Sequence, residues 1–148
     1  MPINEFLLRL FVALATGFLI GLERQWAHKS AGLRTNTLVA VGAAIFVLLS
    51  LEMTEGGKGD ATRIVGQVVT GIGFLGAGVI LHQGISVHGL TTAATIWCSS
   101  AVGSLAAAGY LKEALIATGA VLIINAGLRP LDEFLEKRTR KQDQENIQ

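Results

Sequence analysis

The longest uncharged stretch of this sequence decides what kind of protein it encodes. From Ile64 to Leu111, 48 consecutive residues include no Asp, Glu, Lys or Arg. Two membrane-spanning helices of about 20 residues each, joined by a short turn, need such a stretch. A soluble domain has about 25% charged residues, whereas this 148-residue chain has 16% and a mean hydropathy of +0.52. The pattern excludes a soluble enzyme domain, a nucleic-acid-binding protein and a disordered chain.

Five apolar segments predict an all-α, polytopic membrane protein. Helices satisfy their own backbone hydrogen bonds in lipid, and no segment shows the period-two alternation of a membrane β-barrel. The predicted helices cover residues 6–22, 37–51, 61–81, 90–108 and 111–128. They form a transmembrane domain over residues 1–129, followed by a short cytoplasmic tail over residues 130–148.

The distribution of Lys and Arg predicts the orientation of this bundle. Eight of the 12 basic residues follow the first or the fifth helix, on one side of the membrane, and four fall on the other side. This places the N-terminus outside and the C-terminus in the cytoplasm. Residues 1–5 lack the positive segment of a secretory signal peptide, so we expect the first helix to be retained. In the tail, Leu131, Phe134 and Leu135 share one helical face, which is typical of a segment on an anionic lipid surface.

Small residues recur at helical spacing on three of the predicted helices. They are Ala13, Gly17 and Gly21 in the first; Gly66, Thr70, Gly73 and Ala77 in the third; and Ser99 or Ser100, Gly103 and Ala106 or Ala107 in the fourth. Small side chains let helix backbones approach closely in lipid. These stripes predict packing inside the bundle. The alternative is that one of them, for example on the first helix, contacts a partner or a second copy.

Ionisable and amide side chains in or beside the spans are the candidates for function. Three pairs lie three or four residues apart and are expected to be satisfied locally: Glu5 with Arg9, Asp60 with Arg63, and Asn125 with Arg129. Asp60 also suits the positive N-terminal dipole of the third helix. Gln67 follows Arg63 by one turn, and one of these two is expected to make a buried hydrogen bond to another helix, worth about 1 kcal/mol.

Charged residues surround the end of the first helix. Glu23, Arg24 and Arg34 are expected to form a collar around the cytoplasmic mouth of the bundle, with Trp26 as an interfacial anchor. This collar is either a solvated rim or a surface that binds a partner or latches a conformation.

The start of the fourth helix holds the remaining candidates. Thr91 and Thr92 are expected to cap its N-terminus. Trp97 and Cys98 lie about two turns further in, and Cys98 is interpreted as a core residue because no cation adjoins it to favour the thiolate. In the preceding turn, His82 and His88 are a weak metal-binding pattern without a nearby carboxylate.

Several motifs together resemble the MgtC/SapB family. They are Gly21-Leu-Glu-Arg-Gln25, Ala31-Gly-Leu-Arg-Thr-Asn36, Gly71-Ile-Gly-Phe-Leu-Gly-Ala-Gly-Val-Ile80, and Gly89-Leu-Thr-Thr-Ala-Ala94 with Trp97-Cys98. The resemblance covers nearly the whole chain through the fifth helix. It implies a bacterial inner-membrane protein with about five spans, linked to growth in scarce magnesium and to survival inside macrophages. It also implies two partners, the F-type ATP synthase, which the protein would restrain, and a small single-span regulatory peptide.

The sequence departs from the family pattern in two respects. Longer members carry a soluble C-terminal domain of the ACT-like kind, whereas this sequence stops about 20 residues after the fifth predicted helix. Functions that need that domain are therefore not expected here. Some members have Asn at the position of Thr91, so a role of that amide is not expected either.

Two function classes follow, and the first is favoured. It is a non-enzymatic regulator or accessory protein that contacts other membrane proteins and the lipid bilayer, with a homo-oligomer as a further option and no cofactor, metal or nucleic acid. The alternative is a transporter or channel, with Mg²⁺ as the candidate ion. An enzyme is not expected, because no nucleophile has a base and an orienting group beside it. The candidate contact residues are Glu23, Arg24, Arg34, Asp60, Arg63, Gln67, Thr92, Trp97 and Cys98.

Overall fold

Five helices dominate the computed structural model, which describes residues 1–54, 59–83 and 86–130. They are α1 (Ile3–Trp26), α2 (Leu33–Thr54), α3 (Ala61–Val79), α4 (Leu90–Ala107) and α5 (Leu111–Gly127). Helices α1 to α4 are long and apolar enough to cross a membrane, while α5, with 17 residues, is about 26 Å long. The predicted helical membrane protein is confirmed. The orientation stays a prediction, and the predicted lipid-facing segment at residues 131–135 lies outside the described residues.

The first two helices extend beyond their apolar segments. Helix α1 begins three residues earlier and ends four residues later than predicted, and α2 begins at Leu33 instead of residue 37. An apolar segment marks the part of a helix inside hydrocarbon, but backbone hydrogen bonds continue into the polar interface. The extension brings Arg24 and Asn36 inside regular helices.

Helix α4 lies at the centre of the bundle and contacts each of the other four helices. Its Gly103 packs on the backbone of α2: a Cβ built there would lie 2.1 Å from the carbonyl oxygen of Ala40. On α1, a Cβ on Gly17 would lie 2.6 Å from the Cβ of Ala40, and one on Gly21 would lie 2.7 Å from the Cα of Leu33. The small residues of α1 and α4 therefore pack inside the bundle, as predicted.

Helix α3 lies at the edge of the bundle, and the packing predicted for its small residues is wrong. Ile72 is the residue of α3 that is buried, whereas the whole set Gly66, Thr70, Gly73 and Ala77 is exposed. Apart from the neighbouring backbone of α3 itself, no described atom lies within 4 Å of a Cβ built on Gly66 or Gly73. We call this set the α3 small-residue face. It points away from the other helices because Ile72, about half a turn around the helix, turns towards them.

A short hairpin connects α3 and α4. Strand β1 (Leu81–Gln83) pairs antiparallel with β2 (Ser86–His88), with Leu81 opposite His88. Helix α3 therefore ends at Val79, two residues earlier than predicted, and the turn that holds His82 and His88 is part of a sheet. In the described residues, no cluster of three or more His, Cys, Asp and Glu could hold a metal.

Asp60 caps the start of α3. Its Oδ1 accepts hydrogen bonds from the Thr62 backbone N–H at 2.9 Å and from the Thr62 hydroxyl at 2.6 Å. These bonds lower the pKa of Asp60 below its ordinary value, with a smaller contribution from the positive charge of Arg63. The expected ion pair between Asp60 and Arg63 is not formed within the part of the chain that the structure describes.

We expect the stabilisation by this cap to depend on pH. Because the folded state lowers the pKa of Asp60, the effect is fully present above the unfolded value and is lost as pH falls through the folded value. Asp60→Ala is expected to speed hydrogen exchange of the first-turn amides of α3 several-fold at pH 7, whereas Asp60→Asn, which keeps an acceptor, changes it little. Equal exchange rates in the two variants would contradict the cap.

Candidate functional site

Polar side chains converge at the end of the bundle where α1 finishes and α4 begins. We call this cluster the polar junction; its members are Arg24 of α1, Ser30 of the α1–α2 loop, Asn36 of α2, Thr92, Thr95 and Ser99 of α4, and Asn125 of α5. The three α4 residues stand at positions i, i+3 and i+7, so they share one helical face. That face joins α4 to three other helices by hydrogen bonds.

Arg24 is the charged member of the polar junction. It is only 2% exposed, and its Nη2 donates to the hydroxyl of Thr92 at 2.7 Å. The hydroxyls of Thr92 and Ser30 lie 3.3 Å apart, so the loop contacts the same group. Of the two interpretations of the collar, the solvated rim is therefore wrong for Arg24, although Arg34 is exposed.

Glu23 lies beside Arg24 and is half-buried. Its Oε2 is buried without a hydrogen-bond partner in the described chain, and so is the Nε of Arg24. No carboxylate among the described residues forms an ion pair with Arg24. Buried polar atoms are usually hydrogen-bonded, so these two atoms mark a place with unused binding capacity.

Asn36 anchors the α1–α2 loop to the bundle. It is fully buried, and its Nδ2 donates to the carbonyl oxygens of Ala31 at 2.7 Å and of Gly32 at 3.0 Å. Its Oδ1 accepts a hydrogen bond from the hydroxyl of Ser99 at 2.8 Å. The loop needs such an anchor because Ala31 holds a left-handed conformation with φ of +56°, which is uncommon for residues other than glycine.

The amide of Asn125 contributes α5 to the polar junction. The Thr95 hydroxyl lies 3.4 Å from Asn125 Oδ1 and 2.8 Å from the carbonyl oxygen of Thr91. A hydroxyl carries one proton, so Thr95 donates to one of these acceptors at a time. Asn125 thus contacts α4, a neighbour that its predicted pairing with Arg129 did not include.

The predicted threonine cap of α4 is wrong. The N-cap residue is Gly89, in a left-handed conformation with φ of +91°, and no side chain caps it. Since α4 begins at Leu90, Thr92 is already its third residue, and its hydroxyl turns inwards to Arg24. Thr91 is exposed.

The buried hydrogen bond predicted for Gln67 or Arg63 is also wrong. Both residues are exposed, and neither donates to another helix among the described residues. Gln67 instead lines an apolar groove of about 760 Å³ between α2 and α3, with Gly42 and Gly71 on opposite walls. The predicted hydrogen bond is absent among the described residues because α3 lies at the edge of the bundle, where these two side chains are exposed.

The remaining candidates lie away from the polar junction. Trp97 is 52% exposed and lines a second cleft between α3 and α4 together with Val65 and Tyr110. Cys98 is half-buried and forms no disulfide.

Five members of the polar junction were not among the predicted contact residues: Ser30, Asn36, Thr95, Ser99 and Asn125. The spacing of Thr92, Thr95 and Ser99 was the available signal, because three hydroxyls on one face of an apolar helix need partners on its neighbours. Nothing in the sequence indicated Ser30.

The family comparison matches most of the chain. The model of the MgtC family matches residues 10–134. An uncharacterized protein of Synechocystis is 53% identical over 91% of this chain and 57% of its own length. Proteins named MgtC from Brucella abortus and Salmonella typhimurium are 55% and 52% identical over 84% and 87% of this chain.

The coverage of these relatives is partial. The alignments include 51% of the Brucella protein and 54% of the Salmonella protein, so the chain spans about half the length of the curated relatives it matches. No solved structure matches the chain. The matched region includes α2, α3, α4, α5 and most of α1, and at this identity and extent the conclusion is direct: the chain belongs to the MgtC family.

Proposed function

We propose that this protein is a non-enzymatic regulator of other membrane proteins and that it contacts them within the bilayer through the α3 small-residue face. The observation that carries the proposal is the contrast between three similar stripes. Those of α1 and α4 pack against neighbouring helices, while that of α3 is exposed along its length. An exposed stripe of this kind allows a partner helix to approach the backbone closely.

The physiological setting of this proposal is the inner membrane of a bacterium adapting to scarce magnesium or to life inside a host cell. Membership of the MgtC family supports this setting. The F-type ATP synthase is the first partner to test, and a small single-span regulatory peptide is the second.

Photo-crosslinking from inside the membrane tests the proposed contact. Phe74 adjoins the α3 small-residue face and is 83% exposed, while Phe11 on α1 is 66% exposed and serves as a matched control. With p-benzoylphenylalanine at each position in low-magnesium cells, we expect position 74 to crosslink to ATP synthase subunits and position 11 to lipid only. Equal crosslinking of both positions, or of neither, would count against the α3 contact.

A substitution on the same face separates binding from folding. Gly73→Leu is expected to abolish the crosslink from position 74 and to leave the melting temperature unchanged or higher. Apart from the neighbouring backbone of α3, no described atom lies within 4 Å of a Cβ at Gly73, and leucine favours helix by about 0.8 kcal/mol over glycine. The transporter alternative instead predicts Mg²⁺-dependent uptake into proteoliposomes by the purified protein. Such uptake would overturn the regulator proposal.

A further inference from the structure

The buried guanidinium of Arg24 lies against the start of α4. Glu23 attracts it electrostatically, but no carboxylate among the described residues forms an ion pair with it. Arg24 is 2% exposed, its Nη2 bonds to Thr92, and its Nε has no partner in the described chain. Arginine keeps its charge in proteins, and a buried charge is costly unless it is paired. The unpartnered Nε therefore leaves a buried donor, on a cation, from which an added anion could accept a hydrogen bond.

The start of α4 supplies further groups suited to an anion. Thr92 is the third residue of this 18-residue helix, and no side chain caps the helix at Gly89. The first backbone N–H groups of a helix lack internal partners, and its dipole is positive at this end. The hydroxyl of Ser30 lies 3.3 Å from that of Thr92, so a second hydroxyl borders the same place.

We propose that this junction of Arg24, Ser30, Thr92 and the first turn of α4 binds a phosphate group. An arginine fork, hydroxyls and a helix N-terminus are the groups that proteins combine for phosphate. The depth also suits it, because Trp26, two residues after Arg24, is 75% exposed, as expected of an aromatic residue at the membrane–water interface. Two sources supply this chemistry there: a phospholipid headgroup and free phosphate in the adjoining water.

Glu23 is the competing counter-ion. Its Oε2 is buried without a hydrogen-bond partner among the described residues, and it adjoins Arg24 in the sequence. A phosphate site beside a carboxylate binds more tightly when the carboxylate is neutralised, so Glu23→Gln is expected to lower the Kd for phosphate by several-fold. If Glu23 itself neutralises Arg24, the wild-type protein binds no phosphate.

Thermal unfolding of the purified full chain, stripped of lipid in dodecyl maltoside, tests the proposal. Inorganic phosphate is titrated against chloride of equal ionic strength, and phosphatidylglycerol is titrated against diacylglycerol with the same acyl chains. At roughly one hundred times the Kd, we expect a rise in Tm of about 5 to 10 °C. A rise with phosphate alone identifies the free ion, a rise with phosphatidylglycerol alone identifies the headgroup, and a rise with both establishes a site for the shared group.

Matched variants locate the effect. Arg24→Gln and Thr92→Val are expected to remove the rise in Tm. If the arginine variant does not fold, Thr92→Val still tests whether the rise depends on this site. Lys29→Gln, which removes an exposed cation from the same loop, is expected to keep it. No rise in the wild-type protein, or an equal loss in Lys29→Gln and Thr92→Val, would overturn the proposal.

Discussion

Gly103→Leu is expected to prevent the bundle from assembling. The Cβ of any residue at position 103 would lie 2.1 Å from the carbonyl oxygen of Ala40 and 2.8 Å from the carbonyl carbon and Cα of the same residue. These are backbone atoms of α2, so no side-chain rotation relieves the collision and the two helices must separate. We expect a loss of more than about 3 kcal/mol in the free energy of unfolding, at the upper end of overpacking costs.

Unfolding in dodecyl maltoside, followed by circular dichroism and by gel filtration, measures this loss. Gly119→Leu on α5 is the matched control, since no described atom outside the neighbouring backbone of α5 lies within 4 Å of a Cβ built there. The control is expected to fold and to gain up to about 0.8 kcal/mol from the better helix propensity of leucine. A Gly103→Leu protein that stays monodisperse with the wild-type Tm would show that α2 and α4 do not pack as closely as described.

The helices could be predicted because lipid makes hydropathy a direct readout of secondary structure. The uncharged run over residues 64–111 lacks the period-two alternation of a membrane β-barrel, so its stable form in hydrocarbon is helices joined by a short connection. The connection itself escaped prediction, since strands of three residues, Leu81–Gln83 and Ser86–His88, are too short to show a period. The helix ends were misplaced for a related reason: hydropathy reports where lipid ends, and α1 continues past that point to Trp26.

The sides of the helices were harder to predict than their positions along the chain. Gln67 and Arg24 are both polar residues near one end of a helix, yet Gln67 is exposed and Arg24 is buried. Whether such a residue is buried depends on whether its helix lies at the edge or at the centre of the bundle, and hydropathy does not report this. The angular position of Arg24 around α1 partly indicated its burial. Arg24 follows Ile20 by four residues and Gly21 by three, so it continues the packed stripe of α1.

Asn36→Leu is expected to cause the largest loss of stability among substitutions in the polar junction. Asn36 is fully buried, and its amide satisfies two carbonyl oxygens of the α1–α2 loop as well as the hydroxyl of Ser99. Leucine has the same branched arrangement of side-chain heavy atoms but no polar atom, so the carbonyl oxygen of Ala31 loses its partner. The carbonyl oxygen of Gly32 keeps the backbone N–H of residue 36, and the hydroxyl of Ser99 keeps the carbonyl oxygen of Thr95. The unsatisfied carbonyl costs about 1 to 3 kcal/mol and each of the other two lost hydrogen bonds about 0.5 to 1.5 kcal/mol, so we expect a total loss of about 2 to 4 kcal/mol.

Ser99→Ala separates the two roles of the Asn36 amide, which anchors the α1–α2 loop and also bonds to α4. The Ser99 hydroxyl lies 2.8 Å from Asn36 Oδ1 and 3.0 Å from the carbonyl oxygen of Thr95. Alanine at this position therefore removes the bond between α4 and α2 and leaves the loop anchored by Asn36. Interhelical hydrogen bonds in membranes average about 0.6 kcal/mol, and we expect a loss of this size. SDS-driven unfolding in micelles of both single variants and the double variant measures the coupling. A loss in Ser99→Ala equal to that in Asn36→Leu would show that the bond between the helices, rather than the loop anchor, accounts for the stability contributed by Asn36.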